Sequence, residues 1–283
     1  MFVIAGATGH TGSVVASTLL AQGKKVRVIV RDEKKGAAWK QKGAEVAVAN
    51  LDDAAALGRA LAGAEGVYAL VPPNFTADDP RAEQGRVVEA WARAVAAARP
   101  KHVVLLSSIG AELPGGTGPI VMVHELEEKL AATGVPLTAV RAGYFMENWA
   151  GMAPAAKGDG ILPSMLAAGR AAPMVATADI GRVAAEALVA GAGAPRVIEL
   201  AGPRDYTPED VAAAFGRALG RPVKLVPVPE AGIEPALAQA GFKPKLAALY
   251  REMTSALNGG KIKWSGAPRR GRVEIDELVR ALV

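Results

Sequence analysis

The chain has 283 residues, no cysteine, 51% hydrophobic and 22% charged residues, and 33 lysines plus arginines against 28 aspartates plus glutamates, a net charge of +5. This composition excludes a disordered chain and a small disulfide-stapled scaffold, and since domains hold roughly 100 to 200 residues, it leaves room for a large α/β unit with a smaller lobe. It also excludes a thiolate nucleophile and a cysteine metal site; the three histidines, His10, His102 and His124, lack metal-ligand spacing, so no metal is expected.

In chain order, residues 2–5 read as a short strand, a glycine-rich turn follows, and residues 13–22 have helical character with Gly23 as their stop. The apolar start has no basic segment before it, the first lysine being Lys24, which argues against a signal peptide and for a cytoplasmic location. Strands are expected over residues 25–30, 45–49, 66–70, 101–107 and 137–141, and helices over 54–61, 80–98 and 123–132. No stretch approaches the roughly 18 apolar residues of a membrane span, so no membrane partner is expected. Strands separated by helix-period segments indicate βαβ units and a parallel sheet covered on both faces.

Residues 151–173 loosen into Gly, Pro and Met-rich sequence and read as a loop over a site, where Met152, Met165 and Met174 either line an adaptable pocket or fill gaps. A helix with Asp179 as its cap then runs to Ala190, and residues 196–200 read as a strand. Thr207-Pro208-Glu209-Asp210 combines a cap, a first-position proline and two acids, starting a helix that Gly220 ends. Residues 223–228 are a further strand, 235–258 are mostly helical, and a last helix lies near 275–282. The basic cluster of Arg269, Arg270 and Arg272 reads as a solvated tail, with a nucleic-acid contact as the alternative; no nucleic-acid partner is expected.

The sequence Gly6-Ala7-Thr8-Gly9-His10-Thr11-Gly12 stands between the first strand and the first helix. Glycines at this spacing let the backbone approach a pyrophosphate, whose charge the helix N-terminus stabilises, so Gly6, Thr8, Gly9, His10, Thr11 and Gly12 are candidate dinucleotide contacts. A carboxylate at the end of the second strand would hold the ribose hydroxyl of NAD; counting from Gly23 puts Val30 at that place and Arg31 after it. Arg31, helped by Lys34 and Lys35, therefore favours the 2′-phosphate of NADPH over NADH, the other reading being that Arg31 is merely exposed and Asp32 caps the next helix. Leu70, Val71 and Pro72, after the fourth strand, are expected along the adenosine ribose and diphosphate. The fold class is thus α/β, a Rossmann-type doubly wound parallel sheet in residues 1–150, joined by parts of 175–200, with a smaller interleaved C-terminal α/β substrate lobe in 151–283.

These segments resemble a family when taken with Val30-Arg31-Asp32, Ser107-Ser108-Ile109-Gly110, His124 followed by Glu128, Arg141-Ala142-Gly143-Tyr144-Phe145-Met146-Glu147-Asn148, Asp179-Ile180-Gly181, Ala201-Gly202-Pro203 and Leu219-Gly220-Arg221. The family is the atypical short-chain dehydrogenases of the NmrA-like group, which includes NADPH quinone reductases and triphenylmethane reductases, and the resemblance covers nearly the whole chain. In the wider superfamily a Tyr and a Lys four residues apart protonate the substrate and hold the nicotinamide ribose, assisted by a Ser ending the fifth strand. By that resemblance His124 stands at the Lys position and Ile120 at the Tyr position, so the usual acid is missing.

Hydride transfer can proceed without that phenol when the acceptor holds the arriving charge by resonance. His124 is a candidate for a ribose contact or proton relay, or else makes a structural hydrogen bond. Ser107 and Ser108 either touch cofactor or substrate or cap a turn. Tyr144, Phe145, Asn148 and Trp149, just after the sixth strand, either form the nicotinamide end and substrate wall or belong to the core. His124, Ser107 and Tyr144 are the candidate catalytic residues. The expected function is NADPH-dependent reduction of a small conjugated, electron-poor molecule such as a quinone, with a homodimer possible. The competing reading is a redox sensor that binds NADP(H) without chemistry and reports to a protein partner.

Overall fold

Strands covered on both faces must be apolar at successive positions, and Val3, Ile4, Val67, Val104 and Leu105 are all fully buried. The structure, a computed structural model, describes residues 1–283. β1 (Phe2–Ile4) leads through the glycine turn into α1 (His10–Ala21), followed by β2 (Val26–Val30), α2 (Ala37–Gln41), β3 (Glu45–Val48) and α3 (Ala54–Leu61). Then come β4 (Gly66–Ala69), α4 (Pro80–Ala98), β5 (His102–Ser108), α5 (Ile120–Ala132), β6 (Leu137–Ala142), β7 (Tyr144–Phe145), α6 (Ala153–Gly158), β8 (Ile161–Ser164) and β9 (Met174–Val175). The chain ends with α7 (Thr177–Ala190), β10 (Val197–Ala201), α8 (Pro208–Leu219), β11 (Lys224–Pro227), α9 (Glu230–Gln239), α10 (Pro244–Asn258), β12 (Arg269–Arg270) and α11 (Ile275–Leu282).

Eight strands form one sheet in the order β12-β10-β6-β5-β4-β1-β2-β3. Every pairing in it is parallel. Phe2 pairs with Val26 on one side and Gly66 on the other, so the winding direction reverses between β1 and β4. Ligands in such sheets bind outside the carboxyl ends of the strands at that reversal. The doubly wound α/β architecture read from the sequence is the one observed. A second apolar cluster, with Met146, Trp149, Leu162, Tyr206, Phe215 and Ile275, packs around the small parallel pair of β8 and β11.

Several local expectations are corrected. α1 and α5 each begin three residues earlier than expected, at His10 and Ile120, with Gly9 and Pro119 at their N-caps. The stretch 151–173 contains α6 and β8, whose short lengths and flanking Gly and Pro residues hide any periodicity. Residues 235–258 belong to two helices, broken where Gly241 takes a φ of +88°. Asp179 sits inside the first turn of α7, and the N-cap is Ala176. The basic cluster is no solvated tail: Arg269 and Arg270 form β12 on the sheet edge, paired with Glu186 and Asp205.

Terminal chemistry explains the helices that were read well. At α8, Thr207 Oγ1 accepts from the Asp210 amide at 3.2 Å while Asp210 accepts from the Thr207 amide at 2.9 Å, and Gly220 closes the helix at φ +65°. α4 ends on an exposed non-glycine residue, Arg99, at φ 44°. A left-handed conformation strains a residue bearing a Cβ. Arg99→Gly is therefore expected to raise stability by about 0.5–1 kcal/mol, read as a higher urea midpoint with an unchanged slope; a lower midpoint would show that the site is unstrained.

Candidate functional site

A helix start leaves backbone N–H groups without intrahelical partners. At α1 no side chain fills that role, because Gly9 is the N-cap and the nearby Ser13 hydroxyl donates to the His10 carbonyl at 2.9 Å. The turn is closed by the Gly9 amide donating to the Gly6 carbonyl at 2.8 Å. Gly6 has φ +66°, and a Cβ there would fall 2.6 Å from Leu70 Cδ2, so the Leu70 side chain lies over the turn. A Cβ on Gly12 would meet the Gly6 carbonyl oxygen at 2.4 Å and the Ala5 oxygen at 2.6 Å, so the helix start is pressed onto the strand end. The result is an uncapped, positively polarised helix terminus behind a side-chain-free turn, which suits an anion. Thr8 and His10 are exposed around it, whereas Thr11 is buried.

At the end of β2 Arg31 is exposed and Asp32 caps the next turn. Asp32 accepts from the Lys34 amide at 2.9 Å and caps the 3-10 turn Glu33–Gly36. Arg31 is exposed and makes no ion pair, as are Lys34 and Lys35, while Glu33 is engaged by Lys40 at 2.7 Å. Three free cations therefore stand beyond the strand. Val71 is half-buried and Pro72 exposed on the neighbouring rim after β4, where the Leu70 carbonyl accepts from the Trp91 indole at 3.0 Å.

The end of β5 differs from expectation. Ser107 lies beside Arg141 in the sheet register and is buried. Its hydroxyl donates to Glu127, which also takes Arg141 in a fork at 3.1 and 2.7 Å, and Arg141 reaches Glu112 at 3.1 Å. An arginine carried into the sheet face needs carboxylate partners, and Ser107 serves that network. The Ser107 hydroxyl proton is thus committed to Glu127, and its oxygen keeps lone pairs able to accept. Ser108 donates to the Ile109 carbonyl at 3.0 Å. Ile120 is buried in an apolar cluster with Ile109, Ala111 and Ile262.

His124 on α5 places Nδ1 2.8 Å from the Ala111 carbonyl oxygen. A carbonyl only accepts, so Nδ1 carries the proton. Nε2 faces Glu128, one turn along the helix, at 3.5 Å. That separation is long for a hydrogen bond and Glu128 is exposed, so Nε2 is the nitrogen left for a ligand.

Beyond β6, a Cβ on Gly143 would fall 2.1 Å from the Pro173 carbonyl oxygen, and the Tyr144 amide donates to that same oxygen at 2.7 Å. This fixes Tyr144 and Phe145 in β7 against β9. Burial pushes the Tyr144 phenol up to about 12, against the opposing hydrogen bond of the exposed Asn148 amide, with the nearby Tyr250 adding to the rise. The phenol is therefore a neutral donor at ordinary pH. Phe145 is half-buried against the main core. Trp149 is corrected from substrate wall to core: it is 3% exposed and its indole N–H donates to the Met174 sulfur at 3.4 Å, so Met174 fills a gap.

An aromatic group that sequence reasoning missed joins the loop after β4 to α10. Phe75, Phe242 and Tyr250 bring their rings together at 4.9 Å (Phe75 to Phe242) and 5.2 Å (Phe242 to Tyr250). Phe75, 44% exposed, is carried on the loop after β4, which is tied to the start of α10 by Lys243–Asp78 at 3.4 Å and Lys245–Asp79 at 3.0 Å. The signal lay in Pro72-Pro73-Asn74-Phe75, a lone large aromatic on a stiff polar loop.

A parallel sheet with its reversal at an uncapped glycine loop defines a Rossmann-type α/β protein. Residues 1–277 match the NmrA-like family, and the chain belongs to it. It is 31% identical over 226 residues, 80% of this chain and 76% of the relative, to a (4-alkanoyl-5-oxo-2,5-dihydrofuran-3-yl)methyl phosphate reductase of Streptomyces griseus. It is 30% identical over 266 residues, covering 92% and 89% of the two chains, to quinone oxidoreductase 2 of Escherichia coli. Among solved structures, an NADPH-dependent quinone oxidoreductase of Escherichia coli complexed with NADPH superposes with a TM-score of 0.83 at 26% identity, over 100% of this chain and 99% of that one.

Proposed function

We propose that this protein is an NADPH-dependent oxidoreductase that reduces a small conjugated, electron-poor acceptor such as a quinone. The observation that carries the reading is the side-chain-free cradle at Gly6 and Gly12, behind an uncapped helix at the carboxyl end of β1. Its relatives include a quinone oxidoreductase and an azoreductase, which supports the reductase class. Bound NADPH supplies a hydride. The α1 amides receive the diphosphate, Arg31 and Lys35 the 2′-phosphate, Leu70, Val71 and Pro72 the adenosine side, and His124 Nε2 a ribose hydroxyl. Tyr144 and Phe145 hold the nicotinamide end. The neutral Tyr144 phenol donates a hydrogen bond to the oxygen that gains charge, and a quinone spreads the rest by resonance, so no acid at residue 120 is required.

The test is NADPH oxidation with a panel of quinones and cationic dyes, run beside thermal shifts with NADPH and NADP+. Turnover that falls in a folded His124→Ala variant is the expected result. Stabilisation by cofactor without turnover on any acceptor would overturn the enzyme reading in favour of a sensor. Arg31→Ala is expected to weaken NADPH binding about tenfold, the low end for a charge-assisted bond because Arg31 is exposed, while sparing NADH. Equal losses for both cofactors would remove the 2′-phosphate assignment.

A further inference from the structure

A cavity of about 270 Å³ opens where the chain before β9, the end of α10 and the segment leading to β12 meet. Its wall includes Ile109, Leu166, Arg170, Ile262, Lys263 and Trp264, and no residue of the glycine loop, α5 or β7 lines it. Tyr250 and Leu257 are seven residues apart on α10, so the cavity lies about 10 Å along that helix from the aromatic group.

Two exposed cations on its wall, Arg170 and Lys263, make no ion pair, and the acid there, Asp205, is held by Arg270 at 2.8 Å. The Trp264 indole N–H is buried with no acceptor in the chain, a state that native interiors rarely tolerate. Arg170 also bridges to the end of α10. It donates to the Asn258 carbonyl and lies over Gly260, where φ is +76° and a Cβ would fall 2.4 Å from Nη2. The Asn258 side chain accepts from the Ala167 amide and donates to the Met165 carbonyl, both at 2.9 Å, fastening the wall to the end of α10.

We propose that this cavity is a binding site for a small organic carboxylate with an apolar body. The carboxylate is taken by Arg170 and Lys263 on the cavity wall. Ile109, Leu166 and Ile262 receive the body. The site does not depend on the activity proposed above, because none of its residues belongs to the cofactor or acceptor contacts.

The probes are sodium benzoate, phenyl phosphate and benzylamine, titrated against the full chain by ligand-observed NMR, with melting curves confirming that every variant folds. Benzoate is expected to bind and benzylamine not. Arg170→Met is expected to weaken benzoate about tenfold or more, and Lys263→Met to weaken it to a lesser degree. Equal binding of benzoate and benzylamine, or unchanged benzoate affinity in Arg170→Met, would overturn the proposal. Tighter binding of phenyl phosphate than benzoate would overturn the carboxylate assignment, and loss in Tyr250→Ala with retention in Arg170→Met would move benzoate to the aromatic group.

Discussion

Gly12→Ala is expected to lower stability by about 2–3 kcal/mol, an overpacking cost, and to abolish measurable binding of a nicotinamide dinucleotide. The added methyl would sit 2.4 Å from the Gly6 oxygen, 2.5 Å from the Gly6 carbon and 2.6 Å from the Ala5 oxygen. All three are backbone atoms, so no rotamer change relieves the overlap and α1 must lift from β1. That lift carries the helix amides away from the turn that faces the ligand, which couples the stability loss to the binding loss. Gly58→Ala is the contrasting control. Gly58 lies in mid-helix in α3 with nothing within 4 Å of a Cβ, so alanine there is expected to add up to about 1 kcal/mol from helix propensity. Urea unfolding and NADPH titration read both variants, and a Gly12→Ala protein of unchanged stability and affinity would refute the close-approach account.

What the sequence made legible follows a physical divide. The parallel sheet was readable because strands such as Val26–Val30 and His102–Ser108 are nearly continuous apolar runs, and the helices between them carry local signals like Thr207 and Gly220. Short elements were not. α6 has six residues and β8 four, lengths at which no period repeats, and their stability comes from Leu162 and Ala156 entering the second core rather than from local propensity. Residues 269–272 show the same limit: three arginines look solvated until Glu186 and Asp205, distant in sequence, arrive beside them.

The candidate site divides likewise. The glycine loop was legible because its requirement is local, a turn and a close approach within seven residues. The Ser107 network was not legible because it depends on Arg141, its register neighbour, and on Glu127 from α5, a triple contact that no spacing rule contains. Trp149 and Tyr144 are five residues apart and equally aromatic, with ring centroids 6.2 Å apart, yet Trp149 is 3% exposed in the second core and Tyr144 half-buried against it. The Phe75, Phe242 and Tyr250 cluster is a tertiary product of the loop after β4 meeting α9 and α10.

Asp179→Ala is expected to destabilise the protein by about 3 kcal/mol or more, the cost of breaking a buried, hydrogen-bonded charge. Asp179 is 2% exposed and accepts from Arg182 Nη2 at 2.9 Å and from the Arg272 and Val273 amides at 2.7 and 2.9 Å. It thereby pins the segment after β12, which leads Ile275 and Val279 of α11 into the second core, to α7. Gly271 serves the same clamp, since a Cβ there would fall 2.3 Å from Asp179 Oδ2. Burial alone pushes this carboxyl up, but the Val273 amide, the Arg182 guanidinium and the Arg272 amide outweigh it and hold it below its ordinary value. A carboxyl depressed in the folded state contributes stability that is present above its unfolded value, about 3.9, and is lost as pH falls through the folded one. The contribution is therefore flat near neutrality and disappears below about pH 4. Asp179→Asn keeps the shape but turns an amide NH₂ toward donors, so its stability deficit against the unmutated chain should be constant from neutral to mildly acidic pH and should narrow below about pH 4. Urea unfolding of both proteins across that range measures it. A deficit that persisted unchanged into acid would mean that it comes from the amide NH₂ meeting other donors rather than from loss of the carboxylate's charge.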